Sequence, residues 1–191
     1  PPTISAKLKR VEPGAAESIE GVKKVVIDTA NGFAGVVATS RMAAQQGVAA
    51  LQAEWDDGKL WQQDEIDALV TAGGGTTIQR IGNAPAQLNS PTVASEYRTP
   101  FAIQTPLEAQ AALADVKADR AKVWSSTQSQ FSVRRYVAQA LGYKEEQVEV
   151  QTTNLGGGFG RKSGWEVAVE AARLSKAAGA PVHVAWSRQE E

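Results

Sequence analysis

The stretch NLGGGFGRKSGWE, residues 154–166, constrains this chain more than any other. Gly156, Gly157, Gly158 and Gly160 are interrupted only by Phe159. Glycine loses more backbone freedom on folding than any other residue, so a cluster of glycines points to backbone that must turn left-handed or be closely approached. VEVQTT at 148–153 alternates apolar and polar residues as a half-buried strand does. After the glycines, Ser163 and Glu166 have the S-x-x-E spacing of a capping box, which predicts a helix running through VAVEAARLSKAAG. Glu166 and Glu170 favour the N-terminal half of that helix, and Arg173 and Lys176 the C-terminal half. Gly179 and Pro181 stop it, and VHVAW reads as the next strand. The expected order is strand, glycine loop, helix, strand.

Amide donors at a helix N-terminus favour an anion or an oxo group, because unpaired N–H groups and the helix dipole act together there. The dinucleotide fingerprint G-x-G-x-x-G fails: its third glycine falls on Arg161 counted from Gly156 and on Ser163 counted from Gly158. The P-loop pattern fails as well, since no G-K-[ST] closes it. The residues by themselves leave two readings, a phosphate or cofactor contact and a structural tight turn.

Composition narrows the partners. Twenty basic against 21 acidic side chains provide no electrostatic footprint for nucleic acid or an anionic bilayer. No run approaches the ~20 apolar residues of a membrane span. The absence of cysteine excludes disulfides, thiolate metal sites and iron-sulfur ligation by these residues. His183, in PVHVAW, has no local partners for a metal site or a catalytic triad and is given no catalytic role. The N-terminus PPTIS carries no targeting signal, and both ends are expected to be cut, as in a trimmed or processed piece.

Along the chain, Ile4, Ala6 and Leu8 alternate with polar residues as in a strand, and EPGAAESIEG breaks the pattern. VKKVVID (22–28) and FAGVVAT (33–39) predict a hairpin-like pair across Thr-Ala-Asn-Gly. RMAAQQGVAALQAEW predicts a helix N-capped by Ser40. Residues 59–91 form the expected connector, with DEIDALV as a short helix and Gly73-Gly74-Gly75 as linker. From residue 92, SEYRTPF, EAQAALADV and KVWSST read as successive extended segments, and SVRRYVAQALG as an amphipathic helix ended by Gly142. The fold class is α+β, with units at 1–58 and 92–191.

LGGGFGRK after VEVQTT, preceded by VWSSTQSQFSVRRYVAQALGY and followed by EVAVEAARLSKAAGAPVHVAWSRQEE, resembles the molybdenum-cofactor-binding subunit of the xanthine dehydrogenase/aldehyde oxidase family. Within it the chain is similar to the isoquinoline 1-oxidoreductase β-subunit type of bacterial aldehyde dehydrogenases. PPTISAKLKRVEPGAAESIEGVKKVV and MAAQQGVAALQAEWDDG resemble the family's α/β hammerhead domain. The resemblance implies a hammerhead-like domain followed by the first part of a molybdopterin-binding domain. It implies that Gln128, in WSSTQ, reaches the apical oxo ligand of molybdenum. Gly157, Gly158, Phe159 and Gly160 would place amides beside the oxo ligands or the pterin, with the Phe159 ring packed on the substrate side. No direct metal ligand is implied. Glu108, in TPLEAQ, resembles an acidic position of the family's H-x-P-M-E-P segment, but Gln104 and Ala109 depart from that pattern, and Glu108 is read as structural.

The implied activity is oxidation of aldehydes or N-heterocycles with water-derived oxygen. The implied cofactor is a molybdenum-pterin of the molybdopterin cytosine dinucleotide kind. An iron-sulfur subunit is the implied electron acceptor, with a cytochrome subunit as a further partner. The family's general base lies in the later part of the subunit and matches no residue here, so these residues alone are expected neither to retain the cofactor nor to turn over substrate. The compartment, bacterial periplasm or cytoplasm, is open, with the resemblance on the side of the periplasm. The rival readings are a stand-alone phosphate- or nucleotide-binding module and a non-catalytic interaction module.

Overall fold

The computed structural model describes residues 2, 3, 5–70, 75, 76, 78, 79, 81, 82, 88 and 91–191. Alternation of buried and partly buried side chains on its two central strands marks the main sheet, built from β5 (Ala111–Val116), β6 (Ala121–Ser125), β7 (Val148–Thr152) and β8 (Val182–Ala185). Ala112, Ala114 and Val116 on β5, and Ala121, Val123 and Ser125 on β6, all point to one face. The order is β7-β6-β5-β8; β6 and β7 run parallel, and β5 pairs antiparallel with both β6 and β8. The parallel pair needs a crossover, which α3 (Gln130–Leu141) supplies.

Two helices cover the buried face. α3 contributes Val133, Val137, Ala138 and Leu141, and α4 (Glu166–Ala178) contributes Val167, Ala168, Ala171 and Ala172. The alanines of α4 lie against the alanines of β5, and such small side chains let helix and sheet approach closely. Ser175, fully buried on α4, accepts the Val116 amide (3.0 Å) and donates to the Ala180 carbonyl (2.8 Å), so its hydroxyl is satisfied twice. Gly142 and Gly179 end the two helices in the left-handed conformation, as a C-cap requires.

The N-terminal strands pair differently. β1 (Lys7–Glu12) pairs antiparallel with β4 (Gln52–Asp56), and β2 (Val22–Asp28) with β3 (Phe33–Ala38), giving two separate two-stranded sheets. The β2–β3 connection is the expected Thr-Ala-Asn-Gly turn, closed by Asp28 accepting the Asn31 amide (3.2 Å). α1 (Arg41–Ala50) starts where expected, with Ser40 Oγ accepting the Ala43 amide (3.2 Å). α2 (Gln63–Leu69) covers the short helix expected at DEIDALV.

Four expectations need correction. The helix predicted through Trp55 stops at Ala50; LQAEW turns into β4 because pairing with β1 satisfies the backbone of both strands. The helix predicted from a Ser163 cap begins at Glu166. Ser163 lies instead in a 3-10 turn, Arg161–Ser163, that follows the glycine loop, and no side chain caps α4. SEYRTPF forms no strand, its backbone finding no partner in either neighbouring sheet. Leu8 lies in β1, but Ala6 precedes it, and Ile4 is outside the described residues, as are Gly73 and Gly74 of the glycine run.

Candidate cofactor-binding site

Topology explains why segments remote in sequence meet. β6 and β7 are parallel and in register, Ser125 opposite Thr152, so the TQ of WSSTQ and the glycine loop leave adjacent strands at the same end of the sheet. β5 is antiparallel to both its neighbours, with Ala112 opposite Ser125 and Ala111 opposite Ala185. Residues 105–110 therefore enter, and Trp186 and Arg188 leave, at that same end. The carboxyl ends of parallel strands are where open α/β sheets bind ligands.

The loop is tightly turned. Gly157 and Gly160 have φ of 92° and 89°, and Phe159 itself sits at 51°. A left-handed aromatic residue is uncommon and costs on the order of 1 kcal/mol. No burial offsets that cost, since Phe159 is 71% exposed with its ring facing outward over Gly157. The Arg161 amide then donates to the Gly158 carbonyl (2.8 Å), and the Ser163 amide to the Gly160 carbonyl (3.1 Å), turning the chain toward α4.

One side of the loop is held by Gln128. Its Oε1 accepts the Gly160 amide at 3.0 Å. A Cβ on Gly158 would lie 2.5 Å from that oxygen, so only glycine lets the carboxamide lie against the loop. A backbone N–H can only donate, which fixes the oxygen inward and the Nε2 donors outward. Those donors meet no protein acceptor among the described residues, and neither do the amides of Gly157, Gly158 and Phe159. The Gln128 carboxamide thus keeps its N–H donors available beside the loop, where they suit oxo or phosphate oxygens. Behind it, the Lys162 carbonyl accepts the Gln128 amide (2.9 Å) and the Thr127 hydroxyl (3.1 Å). The Thr127 hydroxyl in turn accepts the Ser129 amide (3.0 Å), just ahead of α3.

Glu108 holds the other side. Its backbone amide donates to the Gly156 carbonyl (3.1 Å), and its Oε2 accepts the Gly156 amide (3.0 Å). A Cβ on Gly156 would lie 2.5 Å from the Glu108 Cβ. The same Oε2 pairs with the ammonium of Lys162, whose side chain is 1% exposed. The Lys162 ammonium first, and the Gly156 amide second, hold the Glu108 carboxyl below the ordinary carboxylate range. Arg188 anchors the segment entering β5 by donating to the Pro106 carbonyl (2.6 Å).

Nearby, Trp186 donates its indole N–H to Glu170 (2.7 Å), and the Arg161 guanidinium lies over the Trp186 ring. Burial pushes the Glu170 carboxyl up; the indole opposes this, while the Glu190 and Glu166 carboxylates add to it. His183 is an exposed residue of β8 opposite Leu113. Among the described residues no three His, Asp or Glu side chains converge as metal ligands.

The structure thus brings Gln128 together with Gly157, Gly158, Phe159 and Gly160. It turns the Gly160 amide to Gln128 instead of outward. Sequence reasoning passed over Lys162 and the grip of Glu108 on Gly156. A lysine next to a glycine loop carries no sign that its side chain points inward, and TPLEAQ shows only that a carboxylate is present.

Residues 71–191 match the molybdopterin cofactor-binding domain family. The xanthine dehydrogenase molybdenum-binding subunit of Escherichia coli O157:H7 is 31% identical over 81% of this chain and 22% of its own length. Isoquinoline 1-oxidoreductase subunit beta of Brevundimonas diminuta is 27% identical over 100% of this chain and 26% of its own length. The chain therefore spans about a quarter of the length of these relatives. In fold it is similar to quinoline 2-oxidoreductase from Pseudomonas putida 86, with a TM-score of 0.70 and 24% identity across 100% of this chain and 30% of that one. Among the described residues no helix is long and apolar enough to cross a membrane. With the family model covering the whole four-stranded sheet and its glycine loop, this chain belongs to the molybdopterin cofactor-binding domain family.

Proposed function

We propose that this chain is the early part of a molybdenum hydroxylase that oxidises aldehydes or aromatic N-heterocycles with oxygen drawn from water. The observation that carries the reading is the Gln128 carboxamide, fixed by the Gly160 amide so that its Nε2 donors stay free beside a loop whose Gly157, Gly158 and Phe159 amides have no partner among the described residues. Oxo and phosphate oxygens are acceptors only, so a molybdenum-pterin cofactor, of the cytosine dinucleotide kind, fits it. The xanthine and isoquinoline names of the two sequence relatives agree with the N-heterocycle part of that range. When bound, the cofactor supplies a Lewis acid and a two-electron acceptor.

The residues of this chain position and donate. Gln128, fixed by Gly160 and Lys162, offers N–H donors without reorganising as charge develops in front of them, the arrangement in which hydrogen bonds contribute most. The exposed Phe159 ring forms an apolar wall against which a flat substrate packs. Glu108 is held anionic by Lys162 and is a poor proton acceptor; on the family resemblance the general base belongs to a later part of the subunit. A separate iron-sulfur subunit, and beyond it a cytochrome subunit, would receive the electrons. The units at 1–58 and 92–191 correspond on this reading to the hammerhead and cofactor domains, joined by the connector at 59–91.

The test is Gln128→Ala in the full-length enzyme. Removing a preorganised donor should lower kcat about 100-fold while molybdenum content stays near wild type. A wild-type kcat would remove Gln128 from the site.

A further inference from the structure

Lys162 presents a puzzle that the cofactor reading does not absorb. Its side chain is 1% exposed, yet it carries an ammonium, and burying such a charge is costly unless it is paired. Among the described residues its one ionic partner is Glu108, whose carboxylate is 44% exposed. The burial is therefore one-sided: the lysine crosses beneath the loop to reach a carboxylate at the rim.

The pair joins three segments that share no strand. Glu108 Oε2 holds the Gly156 amide at 3.0 Å at the start of the loop. The Lys162 carbonyl, at the far end of the loop, holds the Gln128 amide at 2.9 Å and the Thr127 hydroxyl at 3.1 Å. The ammonium of the same lysine returns to Glu108, so the loop is closed on itself from below, with Gln128 attached to the closure through the Lys162 backbone. Gly158 and Gly156 provide the room, since a Cβ at either would meet Gln128 or Glu108 at 2.5 Å.

We infer that Glu108 and Lys162 are positioning residues: an ion-pair latch beneath the glycine loop that sets the distance between the Gln128 carboxamide and the loop amides. This rests on the cofactor reading for its consequence, though the latch itself acts on the loop with or without a ligand. Neutralising Glu108 strands a buried ammonium, whereas Glu108 at the rim stays solvated without Lys162. Glu108→Gln should therefore be worse than the double variant.

The experiment uses the full-length protein and four variants: Lys162→Met, Glu108→Gln, the double variant, and Val137→Ala as a core control away from the site. Hydrogen exchange of peptides spanning 154–165 is measured alongside molybdenum content and melting temperature. Each single latch variant should speed loop exchange about tenfold and lower molybdenum content severalfold. The double variant should recover part of what Glu108→Gln loses, and Val137→Ala should lower the melting temperature with loop exchange and molybdenum content unchanged. Wild-type loop exchange in both single variants would overturn the latch, as would molybdenum loss in Val137→Ala equal to theirs at the same melting temperature. Were the wild-type protein to carry no molybdenum, the cofactor reading would fail while the exchange data still decided the latch.

Discussion

Residues 7–56 and residues 111–185 each use four strands, and they use them in opposite ways. The first set forms two separate pairs; the second forms one sheet backed by two helices. Isolated strand pairs are marginal in water, because each buries little on either face. The first set buries only Val11, Ala16, Val36 and Ala43 among its hydrophobic side chains, while the second gathers a contiguous core from β5, β6, β7, α3 and α4. The first also leans on the second. Lys24 donates to the Ala177 carbonyl at the end of α4 (2.5 Å), a Cβ on Gly35 would lie 2.9 Å from a Leu174 methyl, and Arg173 lies over the Phe33 ring. The candidate site is built wholly on the second set, where four strand ends meet. A donor array that must stay fixed is thus carried by the better-packed half.

The sharpest way to break this comparison is to cut equal volumes from both halves. Val137 is fully buried between α3 and the sheet, and Val36 is 6% exposed on β3. Val137→Ala should cost roughly 2 kcal/mol, and Val36→Ala about half of that, because the thinner layer can relax around the lost methyls. Urea denaturation of the 191-residue chain measures both; equal losses would show that the two halves are packed alike.

A smaller effect tests the flank of the site. The Glu170 carboxyl is raised above its ordinary 4.5 by burial. A raised carboxyl binds its proton more tightly folded than unfolded, so its ionisation costs stability as pH rises through the folded value. That penalty is absent below about pH 4 and grows as pH rises through the folded value. Glu170→Gln, which keeps an acceptor for the Trp186 indole, should raise Tm by about 2 °C at pH 7 and leave it unchanged at pH 4. A Tm at pH 7 at or below wild type would show that the charge on Glu170 is compensated.

Much of this fold was legible because local rules agreed with it. The β2–β3 turn, the Ser40 cap, the Gly142 and Gly179 stops and the strand-loop-helix-strand order all follow from short-range chemistry. The misses share a cause. LQAEW has helical spacing but pairs with β1, and that pairing partner lies 40 residues away or more in sequence. Ser163 and Glu166 have the spacing of a capping box, but the loop needs Arg161–Ser163 for its own turn. In the site, Gln128 and the glycines were readable as motifs, with the resemblance supplying their roles. The inward course of Lys162 was not, since neither its neighbours nor its spacing encodes which way a side chain points after a left-handed turn.

The most direct test of the central claim is elemental and pterin analysis of the full-length protein that contains this chain, purified from cells able to make the cofactor. The account predicts stoichiometric molybdenum bound with its pterin, most of it retained in Gln128→Ala and largely lost in Lys162→Met. A folded protein with an intact glycine loop and no molybdenum would contradict it.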